Sequence, residues 1–147
     1  MAAVRRADAT WEGDLISGSG VVSASTSRLF TDLPVSWASR TASPDGRTSP
    51  EELLAAAHAS CFAMALANDL NNRGTPPQRL EVSATVTFDK IGDGWRVVSS
   101  ALTVRGWVPN ADAAAFQQVA EAARDGCPIS QALKGNVDLS VEATLAT

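Results

Sequence analysis

The chain has 147 residues, which fits a single domain over residues 1–147 with a hydrophobic core of its own. Its net charge of −4 is spread along the sequence and only two lysines are present, which argues against nucleic-acid binding because phosphate contacts need clustered Lys and Arg. Two cysteines are too few for a secreted disulfide scaffold, and we find neither a signal peptide nor ~18 consecutive apolar residues, so we expect a soluble, unprocessed, cytoplasmic protein without a membrane partner.

The first third of the chain predicts a β-meander. Residues 8–16 and 21–29 flank a Ser-Gly turn and predict a hairpin. Residues 33–40, which include Val35 and Trp37, predict a third short strand.

A long central helix is predicted to begin at Pro50. Ser49 suits the N-cap, proline is favoured at the first helical position, and Glu52 completes a Ser-x-x-Glu capping box. The helix should run to about Asn71, because a glycine and a proline follow soon after. It is apolar around most of its circumference, which indicates that other elements cover it on several sides.

The second half predicts a mixture of strands and helices. Alternating apolar residues predict three strands, at residues 80–88, 95–108 and 135–145. The pair Asp93-Gly94 predicts a hairpin turn between the first two. Helical periodicity over residues 111–125 predicts a helix with a left-handed cap at Gly126, and a short helix is expected over Pro128–Leu133.

The predicted order is therefore β-β-β-α-β-β-α-α-β, an α+β fold. One short sheet would not cover so apolar a central helix. An obligate homodimer, in which sheets from two chains sandwich the long buried helix, is the economical solution.

The two cysteines, Cys61 and Cys127, lie in unusual contexts. Cys61 is in the middle of the apolar helix, whereas Cys127 stands between Gly126 and Pro128 at the joint of two helical segments. Free cysteine most often acts as a small buried hydrophobe. Their positions alone leave two interpretations open, a reactive pair or two inert core thiols.

His58 is the other candidate for chemistry. It precedes Cys61 by three residues on the same helix face, so a Cys-His nucleophile pair is one hypothesis. A hydrogen-bonded core or interface histidine is the alternative. Two cysteines and one histidine without short ligand spacing do not predict a metal site.

Three segments of the chain contain motifs that point to one protein family. The run Thr48-Ser49-Pro50-Glu51-Glu52-Leu53-Leu54-Ala55-Ala56-Ala57-His58-Ala59-Ser60-Cys61-Phe62 resembles the signature of the OsmC/Ohr family, the osmotically inducible and organic-hydroperoxide-resistance proteins. The run Gly126-Cys127-Pro128-Ile129-Ser130-Gln131-Ala132-Leu133 resembles its second-cysteine motif, and Trp11-Glu12-Gly13-Asp14 is similar to the opening of the OsmC branch. Together these segments extend over nearly the whole chain in the family's order.

The resemblance implies an OsmC-like intertwined homodimer that reduces organic hydroperoxides to alcohols in oxidative and osmotic stress defence, with two active sites at the subunit interface. It implies that Cys61 attacks the peroxide and becomes a sulfenic acid, and that Cys127 then closes a disulfide. Glu51 would be the site carboxylate and Arg40 its guanidinium partner. In the Ohr branch the arginine comes earlier in the chain, which leaves Arg28 as an alternative.

The chemistry explains why these parts would be needed. Only a thiolate attacks a peroxide oxygen, and burial in an apolar helix raises the pKa of a thiol, so a nearby guanidinium must compensate. A disulfide requires Cα atoms within about 7 Å, so we expect Cys61 and Cys127 to lie close together in one chain. No cofactor would be bound. An external dithiol, a dihydrolipoyl group or another thiol, would reduce the disulfide, which makes a lipoylated protein a candidate partner.

Two other functions fit the residues. One is a Cys-His acyl-transfer or hydrolytic enzyme, which would need no second thiol. The other is a non-catalytic dimer that binds a small apolar ligand in its crevice, with both cysteines inert.

Overall fold

The computed structural model describes residues 1–146 and has the order β-β-β-α-α-β-β-α-α-β. The predicted α+β class is confirmed, with one short helix more than expected. The chain divides into an N-terminal unit, residues 1–53, and a C-terminal unit that begins at Leu54. The organisation of residues 1–147 as one domain stays a prediction.

The N-terminal unit contains a three-stranded antiparallel sheet in the order β1-β2-β3. Its elements are β1 (Ala7–Glu12), β2 (Ser19–Ala24), β3 (Leu33–Val35) and the helix α1 (Trp37–Thr41). The predicted hairpin is confirmed, because β1 pairs with β2 from Ala7 opposite Ala24 to Glu12 opposite Ser19. The predicted bounds of 8–16 and 21–29 are too long, since the strands end at Glu12 and Ala24.

The predicted strand over residues 33–40 is wrong in its second half. The chain leaves β3 at Val35 and forms α1. A capping box starts this helix: the Ser39 N–H donates to the Ser36 hydroxyl at 3.1 Å, and the Ser36 N–H donates to the Ser39 hydroxyl at 3.0 Å. These local serine hydrogen bonds prevail over the apolar alternation that favoured a strand.

The long central helix α2 (Pro50–Asn72) begins and ends nearly as predicted. The Glu52 N–H donates to the Ser49 hydroxyl at 3.1 Å, as an N-cap requires. The other half of the predicted capping box is wrong, because the Glu52 carboxylate accepts from the Thr48 hydroxyl at 2.6 Å. By length and hydropathy α2 could span a membrane, but Phe62, Leu66 and Leu70 on its inner face are fully buried in the protein core. We therefore assign α2 as a core helix.

The remaining elements of the C-terminal unit are β4 (Arg79–Ile91), β5 (Gly94–Trp107), α3 (Ala113–Gly126), α4 (Pro128–Leu133) and β6 (Asp138–Leu145). The hairpin β4–β5 is antiparallel and β6 adds to β5 in parallel, which gives the sheet order β4-β5-β6. The core combines the inner face of α2 with Leu102 and Val104 of β5 and with Phe116 and Ala120 of α3.

Two boundary predictions in this unit are wrong. Gly126 is the last residue of α3 and does not adopt a left-handed backbone. The helix ends because Cys127 is extended, with φ −58° and ψ 126°, a conformation that the following Pro128 favours sterically. The final strand begins at Asp138 and not at Gly135, whose φ of +90° belongs to the preceding turn.

A polar network lies inside this core. The imidazole of His58 lies with Nδ1 2.6 Å from the Ser100 hydroxyl and Nε2 2.7 Å from the Ser130 hydroxyl, and all three side chains are fully buried. Burial lowers the pKa of His58 from its ordinary value of 6.5. A neutral imidazole has one donor and one acceptor nitrogen. One serine hydroxyl can accept from the first while the other donates to the second, so a neutral ring suits both contacts.

The network predicts how stability depends on pH. His58 is the only histidine. As pH falls below about 6.5, the unfolded chain takes up a proton that the folded chain does not, so the free energy of unfolding falls by at most about 1.4 kcal/mol per pH unit. Urea unfolding at one protein concentration, between about pH 7.5 and about 5.5, should show this slope in the parent protein.

The matched control is His58→Gln, which has no titrating imidazole. Carboxylates titrate in both proteins, so the difference between the two slopes isolates His58. Parallel stability curves for the parent and the variant would contradict a depressed pKa for this histidine.

Candidate active site

The two thiols face each other inside the C-terminal unit. The Cys127 thiol lies 3.0 Å from the Cys61 sulfur, and both residues are free cysteines. The middle of α2 positions Cys61, and the joint between α3 and α4 positions Cys127, which is fully buried, whereas Cys61 is partly exposed. The predicted proximity of the two thiols in one chain is therefore confirmed.

The surroundings of Cys61 disfavour its thiolate. Desolvation by burial is the largest cause that raises the pKa of Cys61, and the hydrogen bond with Cys127 raises it further. A hydrogen bond with the backbone of Ile129 acts in the opposite direction. None of these groups is a cation, so the contacts within this unit do not supply the activation that a peroxide-attacking thiolate needs.

A partly buried ion pair lies in the N-terminal unit. Nη2 of Arg40 donates to Oε1 of Glu51 at 2.6 Å, and Nε lies 3.2 Å from each carboxylate oxygen. Glu51 is only 7% exposed. The guanidinium of Arg40 also lies 5.7 Å from the ring centre of Trp37, within cation-π distance.

The two elements that carry this ion pair explain its geometry. Arg40 is in the last turn of α1, and Glu51 is in the first turn of α2, where the helix dipole also favours a carboxylate. A planar guanidinium that meets a buried carboxylate through two nitrogens has little rotational freedom left. Of the two candidate arginines, Arg40 is the one that pairs with Glu51. Arg28 is exposed in the turn after β2, with φ 59°.

An apolar cavity of about 310 Å³ lies beside this ion pair in the N-terminal unit. Aromatic and aliphatic side chains form most of its wall, and Arg40 is the one charged residue among the described residues that line it. The lining residues are Trp11, Leu15, Val35, Ser36, Trp37, Arg40 and Pro50. Such a cavity suits a small ligand with an apolar body and a polar end.

His58 is not arranged as a base for Cys61. Both ring nitrogens lie within hydrogen-bond distance of serine hydroxyls, Ser100 on β5 and Ser130 on α4. The geometry therefore favours the hydrogen-bonded core residue over the Cys-His nucleophile pair. Sequence reasoning did not identify the two serines, because neither has a local pattern that indicates a distant histidine.

The sequence does not predict a metal site. Among residues 1–146, the structure contains no group of three or more His, Cys, Asp or Glu side chains that could hold a metal ion.

Comparison with known proteins gives consistent matches. The family model of the OsmC-like proteins matches residues 43–142. Peroxiredoxin OsmC of Escherichia coli K12 is 37% identical over 138 residues, 94% of this chain and 95% of the relative. An organic hydroperoxide resistance protein of Xanthomonas axonopodis pv. citri is 33% identical over 95 residues, 64% of this chain and 65% of the relative.

The fold agrees with these matches. The crystal structure of the organic hydroperoxide resistance protein OhrB of Bacillus subtilis superposes with a TM-score of 0.74 at 26% identity, over 95% of this chain and 98% of that one. The longer and closer match to the E. coli protein agrees with the OsmC branch that the sequence predicted. The chain belongs to the OsmC-like family, the OsmC/Ohr proteins.

Proposed function

We propose that this protein is a thiol-dependent peroxidase that reduces organic hydroperoxides to alcohols in oxidative stress defence. The observation that carries the proposal is the 3.0 Å contact between two free thiols from separate segments of the chain. The names of the relatives, a peroxiredoxin and organic hydroperoxide resistance proteins, support the same activity.

The proposed reaction has two steps on the protein. The Cys61 thiolate attacks one peroxide oxygen, the O–O bond breaks, and the alkoxide leaves and takes a proton to become the alcohol. Cys61 is then a sulfenic acid. The Cys127 sulfur attacks the Cys61 sulfur, water leaves, and a disulfide forms.

An external dithiol completes the cycle by exchange with this disulfide, and its own sulfurs are oxidised in turn. A dihydrolipoyl group, free or on a lipoylated protein, is one suitable chemical class. A chain with only two cysteines fits a reducing compartment such as the cytoplasm.

We infer that the active protein is a homodimer. Four residues spaced four apart form an exposed stripe along α2: Ala56, Ser60, Met64 and Asn68. Met64 is 69% exposed, an unusual position for an apolar side chain in the middle of a core helix. The small side chains of Ala56 and Ser60, on the N-terminal side of Met64, would allow the close approach of another chain.

The dimer would also supply the cation that Cys61 needs to form its thiolate. Glu51 and Cys61 are ten residues apart on one helix, which corresponds to about 15 Å of helix rise. The causes that shift the pKa of Cys61 are burial, Cys127 and the backbone of Ile129, and none of them is a cation. We therefore propose that the Arg40–Glu51 pair of the partner protomer activates Cys61. The fixed guanidinium would stabilise the thiolate and bind a peroxide oxygen.

The apolar cavity supports an organic substrate. Arg40 lines a cavity together with Trp11, Leu15 and Trp37. A hydroperoxide with an alkyl or aryl group would bury that group against these side chains while the peroxide end faces the guanidinium. Hydrogen peroxide has no apolar group to bury, so the apolar walls would not increase its affinity for the site.

The roles of the two cysteines predict different single-turnover bursts. Cys61→Ser should give no burst of hydroperoxide consumption, because it lacks the attacking sulfur. Cys127→Ser should consume about one equivalent of cumene hydroperoxide per chain and then stop in the absence of added thiol. The burst is measured by stopped-flow. A full burst from Cys61→Ser would refute the assignment.

The ion pair predicts the reactivity of Cys61. Arg40→Met keeps much of the side-chain length but removes the charge, so the pKa of Cys61 should rise. Alkylation of Cys61 by iodoacetamide at neutral pH, followed by peptide mass spectrometry, should slow roughly tenfold for each pH unit of that rise. Glu51→Gln should give a smaller decrease, because it only disorders the guanidinium.

Arg28→Met is the matched control and should leave the alkylation rate nearly unchanged. A large decrease with Arg28→Met and none with Arg40→Met would indicate the Ohr-like arrangement of the arginine and contradict the assignment of Arg40.

The dimer predicts complementation between two inactive variants. In a hybrid of Cys61→Ser and Arg40→Met chains, one site joins an intact Cys61 to the intact Arg40 of the partner. Random mixing of the two variants by co-refolding should therefore restore about a quarter of the parent activity. If both residues act within one chain, the mixture would stay as inactive as the separate variants.

A further inference from the structure

The proposed chemistry uses the contact between Cys61 and Cys127. It does not use the contact between His58 on α2 and Ser130 on α4. His58 lies three residues before Cys61 on α2, and Ser130 lies three residues after Cys127 on α4. Two contacts therefore join the same two segments at equal spacing: the sulfurs of Cys61 and Cys127 at 3.0 Å, and Nε2 of His58 with the Ser130 hydroxyl at 2.7 Å.

The short helix α4 depends on such contacts for its position. A helix of six residues is far below the length that is stable by itself. Ser130 is its buried residue, and its hydroxyl lies at His58. The other ring nitrogen of His58 lies 2.6 Å from Ser100 on β5, so α4 is connected through the imidazole to the sheet.

We propose that His58 is a positioning residue that, through Ser130, holds Cys127 at the distance from which it closes the disulfide with Cys61. The two sulfurs must approach from 3.0 Å to a bond length of about 2.05 Å. A displacement of this size in the reacting atoms can change a rate by about a hundredfold. A bond that fixes the first turn of α4 therefore acts on disulfide closure, whereas the attack on peroxide by Cys61 does not need it.

The chain offers a matched pair of variants. Ser130→Ala and Ser100→Ala each remove one hydroxyl from the same imidazole, and both serines are fully buried. Both changes leave one ring nitrogen without its partner and should destabilise the fold to a similar extent. Only Ser130 belongs to the segment that carries Cys127, so a purely structural role predicts equal effects and a positioning role does not.

The first measurement does not depend on peroxidase activity. The fraction of chains with the Cys61–Cys127 disulfide is determined at a series of ratios of reduced to oxidised dithiothreitol. Ser130→Ala should lower the equilibrium constant for disulfide formation by about tenfold or more, and Ser100→Ala by less than about twofold. Equal decreases in the two variants, or no decrease in Ser130→Ala, would overturn the proposal.

Two variants of His58 keep the test decisive if Ser130→Ala does not fold. The amide of Gln reaches about as far as Nε2 and can keep the bond to Ser130, whereas the amide of Asn reaches about as far as Nδ1 and can keep only the bond to Ser100. His58→Gln should retain most of the disulfide equilibrium constant, and His58→Asn should lose it. The opposite order, or equal loss, would overturn the proposal.

A second measurement connects this role to the proposed function. After one equivalent of cumene hydroperoxide, Ser130→Ala should form the Cys61 sulfenic acid at the parent rate, and trapping with dimedone should show that it persists while the disulfide forms slowly. If Ser130→Ala slowed sulfenic acid formation and disulfide formation to the same extent, the positioning role would be overturned. If the parent protein consumes no cumene hydroperoxide and loses no thiol, the proposed peroxidase function fails, and the dithiothreitol equilibrium still decides the role of His58.

Discussion

The contact between the two sulfurs inside an apolar core is the feature on which the other parts of this protein depend. The fold places Cys127 at 3.0 Å from Cys61, but burial in the same core raises the pKa of the attacking thiol. A fold that favours disulfide closure in this way needs a cation to recover the thiolate. The Arg40–Glu51 ion pair has the required rigidity, because a buried carboxylate fixes the guanidinium through two of its nitrogens.

The groups with proposed roles in catalysis lie in two different units of the chain. The C-terminal unit contains the thiols and the His58 network, and the N-terminal unit contains the ion pair and the apolar cavity. Helix α2 carries Glu51 near one end and Cys61 near its middle, which is too far apart for direct contact along the helix. In the proposed homodimer each protomer completes the site of the other, and a second chain would cover the exposed side chain of Met64 on α2.

The sequence predicted the features that depend on local patterns. The start of α2 follows from Ser49 and Pro50, and α4 starts at the predicted proline. Helix α1 was missed because serine capping at Ser36 competes with an apolar alternation that looks like a strand. The end of α3 was attributed to Gly126, although the steric effect of Pro128 on Cys127 explains it. Ser100 and Ser130 could not be predicted, since they meet His58 from 42 and 72 residues away.

The central claim is that Cys61 and Cys127 act as one redox unit. The most direct measurement titrates the free thiols of the parent protein and determines its intact mass before and after one equivalent of cumene hydroperoxide, without added reductant. The account predicts that both thiols of each chain disappear and that the mass falls by two hydrogen atoms as the disulfide forms. A mass that rises by one oxygen atom while Cys127 stays free, or no loss of thiol, would contradict it.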